Sequence, residues 1–210
     1  MTSAVTNLYE RYLLPRLIHC VCGSPLIDER RRLVVPRARG RVLEVGFGSG
    51  LNLPHYDRSR IEWLWALEPS REMRALAALR IAASGLDVRM LDLDGEALPL
   101  PDRSVDTVVV TFTVCTIPDV AAALGQMRRV LRSDGQLLFC EHGAAPDAGV
   151  RHWQERLDGV WGRFAGGCHL NREMVPLIEA AGFRVAEAHS AYLPRAPRIA
   201  GYVTWGSAAP

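Results

Sequence analysis

Arg41-Val-Leu-Glu-Val-Gly-Phe-Gly-Ser-Gly-Leu-Asn52 is the stretch whose reading decides the fold. Val42, Leu43 and Val45 make a short apolar run of the kind shown by a strand buried on both faces. Gly46, Gly48 and Gly50 then clear the following turn of side chains, because the turn visits positive φ and any Cβ would occupy the space of a ligand. In an open α/β sheet this turn lies at the carboxyl end of a strand, where ligands of that fold class bind. Spacing narrows the ligand. The dinucleotide fingerprint G-x-G-x-x-G would place its third glycine at position 51, which is Leu51, so the pattern speaks against NAD. A Walker loop needs a lysine, and all 25 Lys+Arg residues are arginine. The same absence removes any Schiff-base lysine.

A second acid, Glu68, ends the apolar run Ile61 to Leu67, close to the distance at which a ribose-binding carboxylate follows a glycine loop. Its two oxygens can accept hydrogen bonds from both ribose hydroxyls. Glu44 sits inside the first strand, and a cationic ligand gives an acid there a reason. Together these residues describe a nucleoside that carries a positive charge and no phosphate.

Four ordered motifs carry a resemblance. Glu44-Val-Gly-Phe-Gly-Ser-Gly50, the acid Glu68, Asp94-Gly-Glu-Ala-Leu-Pro-Leu-Pro-Asp102 and Met127-Arg-Arg-Val-Leu-Arg-Ser-Asp-Gly135 resemble the class I S-adenosylmethionine-dependent methyltransferases over about residues 40 to 142. The resemblance implies a Rossmann-like α/β fold: a mostly parallel seven-stranded sheet with an antiparallel edge and helices on both faces. It implies S-adenosyl-L-methionine as cofactor, with Glu44 and the loop of Gly46, Gly48 and Gly50 at the methionine end, Glu68 on the ribose and Asp94 on the adenine amino group. Asn52, Pro69, Gly95 and Thr113 complete the expected cofactor set. Ser133-Asp134 departs from the family's usual Pro-Gly, exchanging one turn pair for another.

Length and composition bound the rest. At 210 residues with 49% hydrophobic content the chain suits one α/β domain with terminal additions. We expect a helical cover or lid over residues 1–38 and the methyltransferase domain over 39–210, with an inserted lid helix around 149–165. Net charge is +2 and the arginines are scattered among 23 acids, so no nucleic-acid tail is expected. Asp28 to Arg32 reads as a solvated helix face. The five cysteines, Cys20, Cys22, Cys115, Cys140 and Cys168, are odd in number and lack a paired metal spacing, so no metal is expected and a reducing cytoplasmic location fits. Met1 to Asn7 carries no basic residue of a secretory signal, and Leu13 to Val21 is interrupted by Pro15, Arg16 and His19, too short to span a bilayer. No pattern specifies an oligomeric state.

Residues 8–35 read as helical pieces broken at Pro15 and Gly23-Ser-Pro25. Tyr9, Tyr12, Leu13, Leu17 and Val21 recur near helical spacing, an apolar face expected to cover the core. A lid over the cofactor or peripheral membrane contact are the alternatives. Strands are expected at Ile61 to Leu67, Val88 to Leu93, the β-branched Val105 to Phe112, and Gln136 to Glu141. Helices are expected at Ser70 to Ser84 and Asp119 to Leu131. The fourth strand delivers Thr113, Cys115 and Thr116 to the carboxyl edge, and the fifth delivers Glu141 and His142 to the same edge. Helix 149–164 aligns Trp153, Leu157, Val160, Trp161 and Phe164, read as the wall of an apolar pocket, with core filler as the alternative. A helix at 172–181 capped by Asn171, and final strands Phe183 to His189 and Gly201 to Trp205, complete the chain.

The carboxyl-terminal part narrows the resemblance. Glu141-His142-Gly, the Trp153 to Asp158 segment, Gly166-Gly-Cys-His-Leu-Asn-Arg172 and Ile199-Ala-Gly-Tyr-Val203 look like the methyltransferase-like 7 (alkyl-thiol methyltransferase) group and its bacterial relatives. A small, fairly apolar thiol is then the expected acceptor. His142 is the expected proton acceptor, His169 the next choice, and Asp158 the residue that orients either. Cys115 is expected at the methyl-transfer pocket but not as a covalent nucleophile. A quinone, phenol or phospholipid amine acceptor is the alternative, and a cofactor-binding module without turnover is the rival from another class.

Overall fold

The computed structural model describes residues 9–92 and 98–210. Seven strands form one sheet in the order β3-β2-β1-β4-β5-β7-β6, where β1 is Gly40–Val45, β2 Ile61–Leu67, β3 Val88–Leu91, β4 Val105–Thr111, β5 Leu131–His142, β6 Arg184–Tyr192 and β7 Tyr202–Ala209. The first five strands pair in parallel, and β7 runs antiparallel between β5 and β6. Chain order reverses between β1 and β4, which sets a crevice at their carboxyl ends.

The central strands are apolar on both faces because both faces are covered. Leu43, Val45, Val108, Val110, Leu137 and Phe139 pack on one side with α4 (Val120–Val130) and α6 (Met174–Ala180). Their chain neighbours Val42, Val109, Leu138 and Cys140 pack on the other with Ile27 and Val34 of α2 (Pro25–Val34) and Ala77 of α3 (Arg71–Ser84). Ser70 caps α3 by accepting a hydrogen bond from the Met73 amide at 3.2 Å, and Gly85 ends it at φ +66°. Asp119 caps α4 through the Ala122 amide at 2.9 Å.

Several elements differ from the sequence expectation. Strand β5 starts at Leu131, because Leu131 already pairs with Val105 before the register shifts and Gln136 pairs with Thr107. Helix α6 starts at Met174 after Glu173, not at residue 172 after an Asn171 cap. Hydrogen bonds from the His169 amide to Cys115 O (2.8 Å) and from the Ala144 amide to Arg172 O (2.9 Å) hold the preceding residues out of the helix. The edge strands are longer than expected, and close pairing requires Gly206: a Cβ there would lie 2.0 Å from Glu187 O.

Helix α1 (Leu14–Cys22) turns a different face inward from the one its stripe suggested. Tyr12, Leu13, Leu17 and Val21 are exposed, while Leu14 and Pro15 are buried, because both faces of this segment are apolar and periodicity cannot choose between them. Helix α5 (Ala148–Phe164) likewise exposes Trp153, Val160 and Phe164. It anchors instead through Gln154, fully buried, whose amide accepts from the Ala145 amide (2.9 Å) and donates to Gly143 O (3.1 Å) and Ile199 O (2.9 Å). Among the described residues no helix is long and apolar enough to cross a membrane.

Candidate active site

A cavity of about 370 Å³ opens at the carboxyl ends of β1, β2 and β4. The glycine turn supplies Gly46, Phe47, Gly48 and Ser49, the end of β2 supplies Glu68, Pro69 and Ser70, and the end of β4 supplies Thr111, Phe112 and Thr113. Leu14, Ile18, His19 and Cys22 of α1 and Arg31 of α2 cover it.

Glu68 organises the turn. Its Oε2 accepts from the Gly48 amide and its Oε1 from the Ser70 amide, both at 2.8 Å. Burial raises its pKa, and those two amides oppose the rise by favouring the anion. Glu44 is held more deeply. Burial lifts its pKa to about 7 against hydrogen bonds from Tyr56 Oη (2.6 Å) and Asn52 Nδ2 (2.9 Å). Asn52 Nδ2 also donates to Thr111 Oγ1 at 3.0 Å, while its Oδ1 is buried with no donor. A ligand ammonium would satisfy that orphaned acceptor next to a carboxylate, so these residues fit the methionine end of S-adenosylmethionine.

The end of β4 is fixed by Glu141. This fully buried carboxylate accepts from the amides of Thr113 (2.7 Å), Val114 (3.0 Å) and Cys115 (3.3 Å), and burial lifts it to about 7. Thr113 is thereby set beside the glycine turn, its hydroxyl donating to Thr111 O at 3.0 Å.

Glu44, Gly46, Gly48, Asn52, Glu68, Pro69 and Thr113 all line the cavity. Gly50 does not; at φ +75° its missing Cβ leaves room for Leu53 at 3.0 Å and the Phe47 ring at 3.4 Å, a packing reason. Asp94 and Gly95 lie outside the described residues.

The four residues expected to carry chemistry stand elsewhere. None of Cys115, His142, Asp158 and His169 lines the cavity. His142 Nε2 faces Cys168 Sγ at 2.6 Å, and Cys115 Sγ lies 3.7 Å from that sulfur. The pKa of the Cys168 thiol is lowered by its hydrogen-bond contact with Cys115 and by His142, against burial, while that of Cys115 is raised by the same contact and by burial. His169 Nδ1 contacts Asp158 Oδ2 at 2.8 Å, and Asp158 Oδ1 accepts from the Leu170 amide at 2.7 Å, so this pair holds the loop after α5. Trp153 is half exposed and does not line this cavity, and Trp161 packs on the core instead.

Two cavity residues escaped the sequence reading. Arg31, read as part of a solvated face, is 4% exposed; it donates to Cys22 O, stands 5.3 Å over the Phe112 ring, and its buried Nε has no acceptor. His19 Nδ1 lies 2.7 Å from Ser49 Oγ, and its pKa is lowered by burial and by Arg80. His19 had one signal, a polar interruption in an apolar run; Arg31, one of three consecutive arginines, had none.

Comparison with known proteins agrees with this geometry. A family model described as a methyltransferase domain matches residues 43–139. A phosphatidylethanolamine N-methyltransferase of Cereibacter sphaeroides is 34% identical over 76% of this chain and 80% of its own length. The human thiol S-methyltransferase TMT1A is 30% identical over 84% of this chain and 75% of its own. A demethylmenaquinone methyltransferase of Thermus thermophilus is 30% identical over the whole chain and 97% of its own. Among solved structures, an S-adenosylmethionine-dependent methyltransferase of Thermotoga maritima, described as a possible histamine N-methyltransferase, shares the fold with a TM-score of 0.66 and 20% identity, covering 100% of this chain and 99% of its own. With its switch-point cavity, its glycine turn and these relatives, the chain belongs to the class I S-adenosylmethionine-dependent methyltransferases and stands close to their thiol S-methyltransferase group.

Proposed function

We propose that the protein methylates the sulfur of a small, apolar thiol. The observation that carries this is the chemistry of the cavity. Its two carboxylates are engaged, Glu44 by Asn52 and Tyr56 and Glu68 by the Gly48 and Ser70 amides, while Leu14, Ile18, Phe112, Ile117 and Pro118 give the wall an apolar part. A site without a dedicated carboxylate base suits an acceptor that ionises readily. A thiol of pKa about 8.5 is already a few per cent thiolate at pH 7 and intrinsically very nucleophilic.

When bound, S-adenosylmethionine supplies an electrophilic methyl on a sulfonium. In our reading Glu68 would take the ribose hydroxyls, Asp94 the adenine amino group, Glu44 and Asn52 the ammonium, and Arg31 the carboxylate through its unpartnered Nε. Thr113 and the glycine turn would hold the cofactor's methionine end, so that alignment at near-attack distance would supply most of the rate. Helices α1 and α2 act as a lid that excludes water. His142 is displaced from the base role by its contact with Cys168. His19, kept neutral near pH 7 by burial and Arg80, lines the cavity and is the imidazole placed to accept the thiol proton.

The test is product analysis with methyl-labelled S-adenosylmethionine and a panel of hydrophobic thiols, phenols, quinols and phospholipid amines. Labelled thioether from the hydrophobic thiols is the expected result. Methylation of a quinol, phenol or amine with no thiol product overturns the reading, and full activity in His19→Ala removes the base assignment alone.

A further inference from the structure

Behind the cavity, three soft ligands converge from three elements. Cys115 comes from the turn after β4, His142 is the last residue of β5, and Cys168 belongs to the loop after α5. They are widely separated in sequence, so the missing paired spacing that argued against a metal says nothing about them. Their ligating atoms all lie within 4.8 Å of one another. Both cysteines are buried and free of disulfide bonds.

We propose that Cys115, His142 and Cys168 form a Zn²⁺ site with a fourth coordination position left for an exogenous ligand. Geometry is the first support. Metal–sulfur bonds of about 2.3 Å and a metal–nitrogen bond of about 2.0 Å at tetrahedral angles give a sulfur–sulfur edge of about 3.8 Å and a sulfur–nitrogen edge of about 3.5 Å. The sulfurs stand 3.7 Å apart, which meets the first edge. His142 Nε2 stands 2.6 Å from Cys168 Sγ and has to withdraw by about 1 Å to meet the second.

Ligand chemistry is the second support. Two sulfurs and an imidazole suit a borderline-soft cation and offer calcium or magnesium no oxygen. Pre-organisation is the third. The His169 amide donates to Cys115 O at 2.8 Å, and Arg172 donates to Val114 O, so the backbone next to Cys168 is already tied to the turn that bears Cys115. An ion here would clamp the loop after α5 to the ends of β4 and β5. Through the turn after β4 it would also steady Thr113, Thr116 and Ile117, which line the cavity. The site stands apart from the acceptor's identity: a protein that methylates no thiol could still hold the ion.

The full chain, purified without chelator and kept in a non-thiol reductant so that Cys115 and Cys168 stay reduced, is assayed for metal by inductively coupled plasma mass spectrometry. It is then titrated with Zn²⁺ and with Co²⁺. The expected result is one ion per chain, a rise in melting temperature with Zn²⁺, and for Co²⁺ a thiolate-to-metal charge-transfer band with the intense visible bands of tetrahedral coordination. Cys168→Ser and His142→Ala should each lower Zn²⁺ affinity by more than about 100-fold, beyond the effect of losing an outer-shell partner. Cys20→Ser, at an exposed cysteine, should bind as wild type. Wild-type protein that takes up neither ion, or a Cys115→Ser/Cys168→Ser variant that retains the charge-transfer band, overturns the proposal. The wild-type cobalt spectrum decides alone if the ligand variants fail to fold.

Discussion

A Cβ on Gly46 would stand 2.0 Å from Thr113 Oγ1, so the first glycine of the turn is required by the end of β4 as well as by a ligand. The two strand ends meet there, and Thr113 Oγ1 sits 3.4 Å from Gly46 O. Gly48 differs. Its φ is also positive, at +58°, but the nearest atom to its missing Cβ is Gly46 O at 3.9 Å, and the residue lines the cavity.

Gly46→Ala should therefore cost mainly stability, about 2–5 kcal/mol from left-handed strain together with overpacking against Thr113. Gly48→Ala should cost only the strain, about 1–2 kcal/mol, and lose most of its cofactor affinity because the new methyl enters ligand space. Urea denaturation and calorimetric titration of both variants check this. Equal stability losses would show that Thr113 yields, and that the contact does not set the position of β4.

Glu68→Ala should weaken S-adenosylmethionine binding by roughly 1.5–3 kcal/mol, the range for hydrogen bonds to a charged group. Part of the loss comes from the Gly48 and Ser70 amides, which both donate to this carboxylate. S-adenosylhomocysteine should lose as much, since it carries the same ribose. Wild-type affinity by isothermal calorimetry would remove Glu68 from the ribose.

These features were legible because they are local. Val42 to Gly50 is one strand and one turn, and Glu68 directly follows the strand that pairs beside it, so periodicity and glycine spacing placed the sheet's switch point. What depends on contacts between distant segments was not legible. Arg30, Arg31 and Arg32 are equivalent in sequence, and burial under α1 singles out Arg31. The inward face of α1 could not be told from the outward one because Leu14 and Leu17 are equally apolar. Trp153 was read as pocket wall from the apolar face it shares with Leu157 and Trp161, whereas the helix is positioned by Gln154 reaching three backbone groups. His142 was placed at the correct sheet edge, but a strand reading does not show that its ring meets Cys168 instead of the cavity.

The last prediction follows from Glu44. Burial raises its pKa from 4.5 to about 7, with Tyr56, Asn52 and Arg31 opposing and Glu68 adding to the rise. Between those two values the folded protein holds a proton that the unfolded chain has released. Stability therefore falls as pH rises from about 4.5 to about 7 and levels off above. Glu141 shifts in the same direction, so the comparison is with Glu44→Gln, whose stability should decline less over that window. Binding adds the opposite dependence. A cationic ammonium beside Glu44 favours the carboxylate, so cofactor binding should expel the proton. Affinity should then rise between pH 6 and pH 8, by at most about tenfold per unit below the pKa. Calorimetry in two buffers of different protonation enthalpy should show proton release near pH 6.5 in wild type and markedly less in Glu44→Gln. Equal release in both proteins would place the ammonium away from Glu44 and leave that carboxyl only its bonds to Tyr56 and Asn52.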